Sequence, residues 1–279
     1  MRAGPSSEPF RPGVPGLSRP ARSLTRFAGL VAGLIFLGWS LRFLSIPLDR
    51  LPGVLGRMLA VLGQRYFPPQ MSQVTSGRYL QAVLDTLQMS FVASALGLLL
   101  AMPLAWMASF NVSPSRRLGY PLARLVITGC RSVHEMIWTI LLVAVVGFGM
   151  LSGTLALTFL CVGFAGKLFA EAMEAVQKGP VEAIRATGAR ELQVLFYGIL
   201  PQVRVAWAGI AIYTWDVVFR AATVIGFFGA GGMGSYLRES VQRIESQQVT
   251  AIVLSIVAVV AVAEVVSAWA RERVARAVA

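Results

Sequence analysis

The ionisable side chains set inside apolar sequence are the ones with chemistry to offer. Asp216 and Arg220 stand four apart in IAIYTWDVVFRAATVIGFF, one helical turn from each other. A charge at bilayer depth costs about 2.5–3.5 kcal/mol on insertion scales, so the two must either pair or face a polar conduit. Asp85 falls with Gln81 and Gln88 at i, i+4, i+7 on one strip of another apolar run. A polar strip entering a bilayer faces protein or a water-filled cavity. With Glu135 and Glu264, these carboxylates could support proton or sodium coupling. Arg131 and Glu135 are spaced i,i+4 at the edge of an apolar run, which predicts an interfacial ion pair. Enzymatic and metal chemistry lack the residues. His134 is the single histidine and has no carboxylate or thiolate at ligand spacing, so it reads as an interfacial polar residue. H-E-x-x-H and G-x-S-x-G are absent. Cys130 and Cys161 form no CxxC pair and imply neither a disulfide framework nor a metal site.

A second constellation is the charged stretch 171–201, EAMEAVQKGPVEAIRATGARELQVLFYGILP, set between apolar runs. Gly179-Pro180 predicts the end of one helix and the start of the next. A short helix then runs from Pro180 to Thr187, with Glu182 and Arg185 in pairing distance at i,i+3. Gly188 permits a break. Beyond it Leu192, Leu195, Phe196 and Ile199 make an apolar stripe, closed by a breaker at Gly198 to Pro201. The stretch is either a compact knob offered to a partner or an ordinary charged loop.

The elements that must position these residues are membrane spans. Of 279 residues, 56% are hydrophobic and 14% charged, and the mean hydropathy is +0.68, outside the range of soluble domains. The formal charge of +12 reflects basic residues at the ends of apolar runs, with no basic stripe interleaved with aromatics, which excludes nucleic acid as a partner.

Residues 1–26 form a basic, Pro/Gly/Ser-rich tail with disordered composition. The run 27–46 is long enough to span. A signal peptide would share its basic-then-apolar order, but the run is long and no clean cleavage site follows it. Segment 47–76 contains an amphipathic helix from Asp49 to Gln64 that lies at the outer interface and ends at Pro68-Pro69. Residues 77–270 form the core, with spans expected at 77–109, 137–150, 154–169, 203–228 and 249–270; residues 271–279 are a basic tail. GAGGMG at 229–234 spells G-x-G-x-x-G, but no strand precedes it, so it reads as a flexible loop rather than a dinucleotide site. The expected fold is all-α with six transmembrane helices. Charge bias then sets the topology. The basic residues of the tails, of Arg116 to Arg131 and of Lys167 to Arg204 lie inside, which places both termini and the 171–201 stretch in the cytoplasm.

Glu182, Ala183, Gly188, Leu200 and Pro201 resemble the EAA motif of the permease subunits of bacterial ABC importers: the Glu-to-Gly spacing and the closing Leu-Pro fit. Ile184 replaces the motif's second Ala, and Gly198 stands where Ile is expected. DTLQMSF at 85–91, RSVHEMIW at 131–138, GKLFAEAMEAV at 166–176, GPVEAIRATGA at 179–189, LPQV at 200–203 and RAATVIGFFGAGGMG at 220–234 are similar, in the same order, to segments of phosphonate-type permeases. His134 stands where that family usually has Pro.

The resemblance implies a type I importer permease fold. It also implies a second permease chain (a homodimer), a periplasmic or lipid-anchored substrate-binding protein outside, and two cytoplasmic ABC ATPase subunits. Glu182, Ala183, Arg185 and Gly188, closed by Leu200 and Pro201, would form the coupling helix seated on the ATPase. No cofactor is expected on this chain. ATP and Mg would belong to the partner ATPase, since the chain has no G-x-x-x-x-G-K-[ST] loop. The resemblance further implies import of phosphonate or a related phosphorus oxyanion through the bacterial inner membrane. Asp85, Asp216 and Arg220 are candidate pathway residues by their own chemistry, and a structural Asp216–Arg220 pair that only lets the span insert is the favoured alternative, since substrate choice in such importers resides largely in the binding protein. Arg220 carries a fork of donors suited to such an anion. A permease for another small solute is the alternative within this class, and an ion-coupled carrier is the alternative outside it. The lack of an evident inverted repeat counts against the carrier.

Overall fold

The computed structural model describes residues 19–44 and 51–278, and every regular element among them is helical. Residues 1–60 and 61–279 form separate compact units. The first holds α1 (Arg19–Phe43) and nearly all of α2 (Leu51–Val61). Helix α1 starts earlier than the apolar run, so Arg19, Arg22 and Arg26 are helical rather than part of an irregular tail. Pro20 fits within a first turn, and the good helix formers after it carry the helix onward. The remaining tail, 1–18, and Asp49 and Arg50 of the amphipathic segment lie outside the described residues. At Phe67 the chain turns extended, as the residue before a proline must.

The second unit comprises α3 (Gly77–Ala108), α4 (Gly119–Ser132), α5 (Glu135–Val146), α6 (Met150–Glu174), α7 (Lys178–Ala186), α8 (Glu191–Val194), α9 (Leu200–Ile225), α10 (Met233–Gln242) and α11 (Ser246–Val278). Helix α6 is the hub and packs on α3, α4, α5 and α9. Its buried face runs Gly153, Ala156, Leu157, Cys161, Ala165, Phe169, Met173. Small residues on such a face let helix backbones approach, the main source of association between apolar spans. A Cβ placed on Gly97 of α3 would lie 2.4 Å from Cys161 Cβ and 3.3 Å from the Thr158 carbonyl. Gly97→Val therefore destabilises this crossing by about 1–3 kcal/mol. Thermal aggregation of the detergent-purified protein should come at a lower temperature than for Gly129→Ala, where nothing lies within 4 Å.

Among the described residues, five helical stretches are long and apolar enough to cross a membrane, and the bent pair α4–α5, taken as one span, makes a sixth. The expected span 137–150 is corrected here. Helix α5 has 12 residues, about 18 Å at 1.5 Å per residue, short of a hydrocarbon core of about 30 Å. It completes a span only with α4, from which it turns by 92°. Val133 and His134 are both extended at the bend, and His134 Nδ1 accepts the Met136 amide at 3.4 Å as the N-cap of α5. The GAGGMG segment is not a flexible loop either. Gly229, Gly231 and Gly232 hold positive φ, Ala230 and Met233 are fully buried, and the Met233 amide donates to Thr86 Oγ1 at 2.9 Å. A Cβ on Gly226 would fall 2.3 Å from the Gly231 carbonyl, so only glycine lets this turn close against α9 and tie it to α3.

Candidate functional site

Helix α7 is mounted between α6 and α9. The break before it comes at Ala175 to Gln177 rather than at Gly179-Pro180, and both of those residues sit in its first turn. Proline is tolerated there because first-turn amides have no intrahelical partner. Val181, with Ile184 packed beside it, joins the buried cluster that includes Val194, Ile199, Val203 and Met173, while Glu182, Ala183 and Arg185 are exposed. Gly198 is the seat: a Cβ there would stand 3.3 Å from Ile184 Cδ1 and 3.6 Å from Val181 Cα. That close approach explains a glycine where the family motif has isoleucine.

Gly188, at φ +80°, ends α7 by donating to the Arg185 carbonyl at 3.0 Å. Arg185 does not pair with Glu182. Its Nη2 reaches across the Gly188 turn to Glu191 Oε2 at 2.9 Å, because the turn brings the first residue of α8 closer than the i−3 neighbour. The anticipated breaker at Gly198 to Pro201 is also corrected. The chain stays helical from α8 through one wide turn at Leu195–Ile199, in which the Leu200 amide bonds to the Leu195 carbonyl five residues back. The wider turn spaces the chain for Pro201, which has no amide to donate. It also shifts the apolar phase: Val194, Gly198 and Ile199 are buried, while Leu192 and Phe196 are exposed.

Two polar ties that no local pattern of residues marks fix this assembly. Gln202 Nε2 donates to the Gly198 carbonyl at 2.7 Å, and its Oε1 accepts the Gln177 amide at 3.0 Å, joining the N-cap of α7 to α9. Glu174, the last residue of α6, accepts from Arg124 Nη2 at 2.6 Å and from the Phe110 amide at 2.9 Å. Arg124 Nε in turn holds the Ala108 carbonyl at the end of α3. Gln202 and the Gly198 seat thus join α7 to α9, while Glu174 and Arg124 tie α6 to α3 and α4. Glu174→Gln weakens this tie by about 1 kcal/mol, since the pair is only partly exposed. A lowered unfolding temperature, with the double variant Glu174→Gln/Arg124→Ala losing less than the sum of the two single variants, would confirm the pairing.

In the membrane part, Asp216 and Arg220 do pair, Arg220 Nη2 to Asp216 Oδ2 at 2.8 Å. The carboxylate is buried, and the arginine side chain is 55% exposed on a stripe with Tyr213 and Val224. Asp85 is half-buried, between the exposed Gln81 and Gln88, and makes no ion pair among the described residues. The Arg131–Glu135 pair does not form. The 92° turn separates the two positions, Glu135 Oε2 lies 3.4 Å from His134 Nδ1 instead, and Arg131 is exposed.

The second unit is thus a bundle of long apolar helices that presents a short exposed helix between two of them. The fold of the chain matches the methionine ABC transporter MetNI (TM-score 0.59, 22% identity, 74% of this chain and 100% of that one). It also matches an ABC transporter importing the acidic polysaccharide alginate (TM-score 0.59, 16% identity, 93% and 99%). Residues 93–279 match the family described as binding-protein-dependent transport system inner membrane component. The chain belongs to that family and is the permease subunit of an ABC importer, a transport component rather than an enzyme. It is 39% identical over 246 residues to the phosphite transport system permease protein PtxC of Stutzerimonas stutzeri, covering 87% of this chain and 86% of that one. It is 37% identical over 209 residues to the phosphate-import permease protein PhnE of Mycolicibacterium smegmatis, covering 75% and 39%.

Proposed function

We propose that this permease imports phosphite, a phosphonate or a closely related phosphorus oxyanion, as one of two identical chains with both termini in the cytoplasm. The observation that carries the reading is the exposed guanidinium of Arg220, held in an apolar span by the buried Asp216, in a chain whose relatives are named for phosphite and phosphate transport. A fork of donors suits phosphorus-bound oxygens. The Asp216 carboxylate partners the arginine when the pathway is empty, and an arriving anion competes for the same donors. On the cytoplasmic side the exposed face of α7, with Glu182, Ala183 and Arg185, docks on the ATPase subunit, which binds ATP and Mg. The permease itself needs no cofactor, and a binding protein delivers the anion outside.

The test is uptake of radiolabelled phosphite, methylphosphonate, phosphate and sulfate by proteoliposomes holding the permease with the ATPase and binding protein of its own gene neighbourhood. ATP-dependent uptake of at least one phosphorus compound, with sulfate excluded, is expected. Transport of another solute alone would assign the permease to that solute. Uptake that survives loss of the ATPase's phosphate-loop lysine would identify an ion-coupled carrier.

A further inference from the structure

We propose that Arg131 is a second anion-contacting residue of the translocation pathway, set deeper than Arg220 and receiving the same phosphorus oxyanion; this rests on the function proposed above. The inference starts from depth. A Cβ on Gly163 would stand 2.7 Å from Arg131 Cγ, so the arginine lies on α6 at that level. Gly163 is 13 residues from Met150 and 11 from Glu174, the two ends of α6, or about 20 Å and 16 Å along the axis. Arg131 therefore lies within the span, about 6 Å outward of Lys167 along α6. It is exposed and has neither a hydrogen bond nor an ion pair among the described residues. Glu135, the carboxylate that spacing offered it, is turned to His134.

An uncompensated guanidinium inside a span does not face hydrocarbon; charged residues there face a bundle interior or an aqueous path. The α4–α5 bend also lies beside the part of α9 that carries Arg220. Phe164, next to Gly163, packs on Tyr213 with ring centroids 5.7 Å apart. Met136, in the first turn of α5, shares a cavity of about 320 Å³ with Thr223 and Val224. Tyr213 and Val224 belong to the exposed stripe of Arg220, and Tyr213 is seven residues from Arg220, about 10 Å along the helix. The bend that carries Arg131 thus lies beside the part of α9 that carries Arg220, with the two arginines at successive depths. Arg220 is partly neutralised by Asp216, whereas Arg131 keeps its full charge. Several binding points of moderate strength, rather than one tight site, are what permit an ion both to enter and to leave.

The test introduces a thiol by Arg131→Cys in a Cys130→Ser background; Cys161 is fully buried and beyond the reach of reagent. In the complete importer in vesicles, phosphite uptake should fall at least about tenfold, the worth of one charge-assisted contact, while ATPase activity persists. A cationic methanethiosulfonate reagent should restore uptake, an anionic one should not, and phosphite with its binding protein should slow the modification. An unreactive thiol, equal recovery with both reagents, or undiminished uptake overturns the role of Arg131 while the function stands. An unsubstituted importer that takes up no phosphorus oxyanion overturns both. If the thiol variant fails to assemble, Arg131→Lys decides. An assembled importer with a raised KM for phosphite supports the role, and unchanged KM and kcat overturn it.

Discussion

Gly188→Val should abolish ATP-driven uptake while leaving the permease inserted and folded. Gly188 holds φ +80°, a region that costs an L-residue about 1–2 kcal/mol and a β-branched one more. Nothing lies within 4 Å of the position a Cβ would take, so the damage inside the subunit is conformational rather than a clash. Relieving the strain rotates the link between α7 and α8 and breaks the Arg185–Glu191 bridge that spans it. The exposed face with Glu182 and Ala183 then meets the ATPase at the wrong angle. The membrane helices are untouched, because the Gly188 turn lies outside them, between α7 and α8. Gly188→Asn separates conformation from bulk, since asparagine tolerates positive φ. It should retain most of the uptake lost with valine. Normal uptake and normal co-purification of the ATPase with the valine variant would remove α7 from the coupling path.

The contrast at this site shows what a sequence can and cannot tell. The continuous helix through Gly198 to Pro201 was not legible, since residue type alone reads a break there, whereas Gly188 was legible because glycine acts on its own backbone. The Arg185 partner was not, since it depends on a turn that carries Glu191 past Glu182. The π turn at Leu195–Ile199 was invisible for a related reason: a stripe drawn at 3.6 residues per turn assumes the ladder that Pro201 disrupts. The spans followed from apolar length alone, except α4–α5, where an apolar run continues through a 92° bend marked only by Val133 and His134. Gln202 and Glu174 act through partners 25 and 50 residues away, and no local pattern encodes such ties.

Arg220→Gln should reduce uptake at least about tenfold, and the pair it belongs to makes the result interpretable. Asp216 is buried, with Arg220 as its ion-pair partner. Removing the arginine alone strands a carboxylate at bilayer depth. Breaking a fully buried pair costs about 3–5 kcal/mol; here the cost is smaller, because the arginine is more than half exposed and screened. A loss of uptake in the single variant could thus arise from poor assembly as readily as from a missing anion contact. The double variant Asp216→Asn/Arg220→Gln removes both charges together and leaves side chains of similar size, so the span inserts without a stranded ion. If Arg220 contacts the anion, the double variant assembles at wild-type levels in the membrane and still fails to transport phosphite, with ATPase activity retained. Recovery of uptake in the double variant would show that the pair exists only to let α9 cross the bilayer, and that the anion is recognised elsewhere.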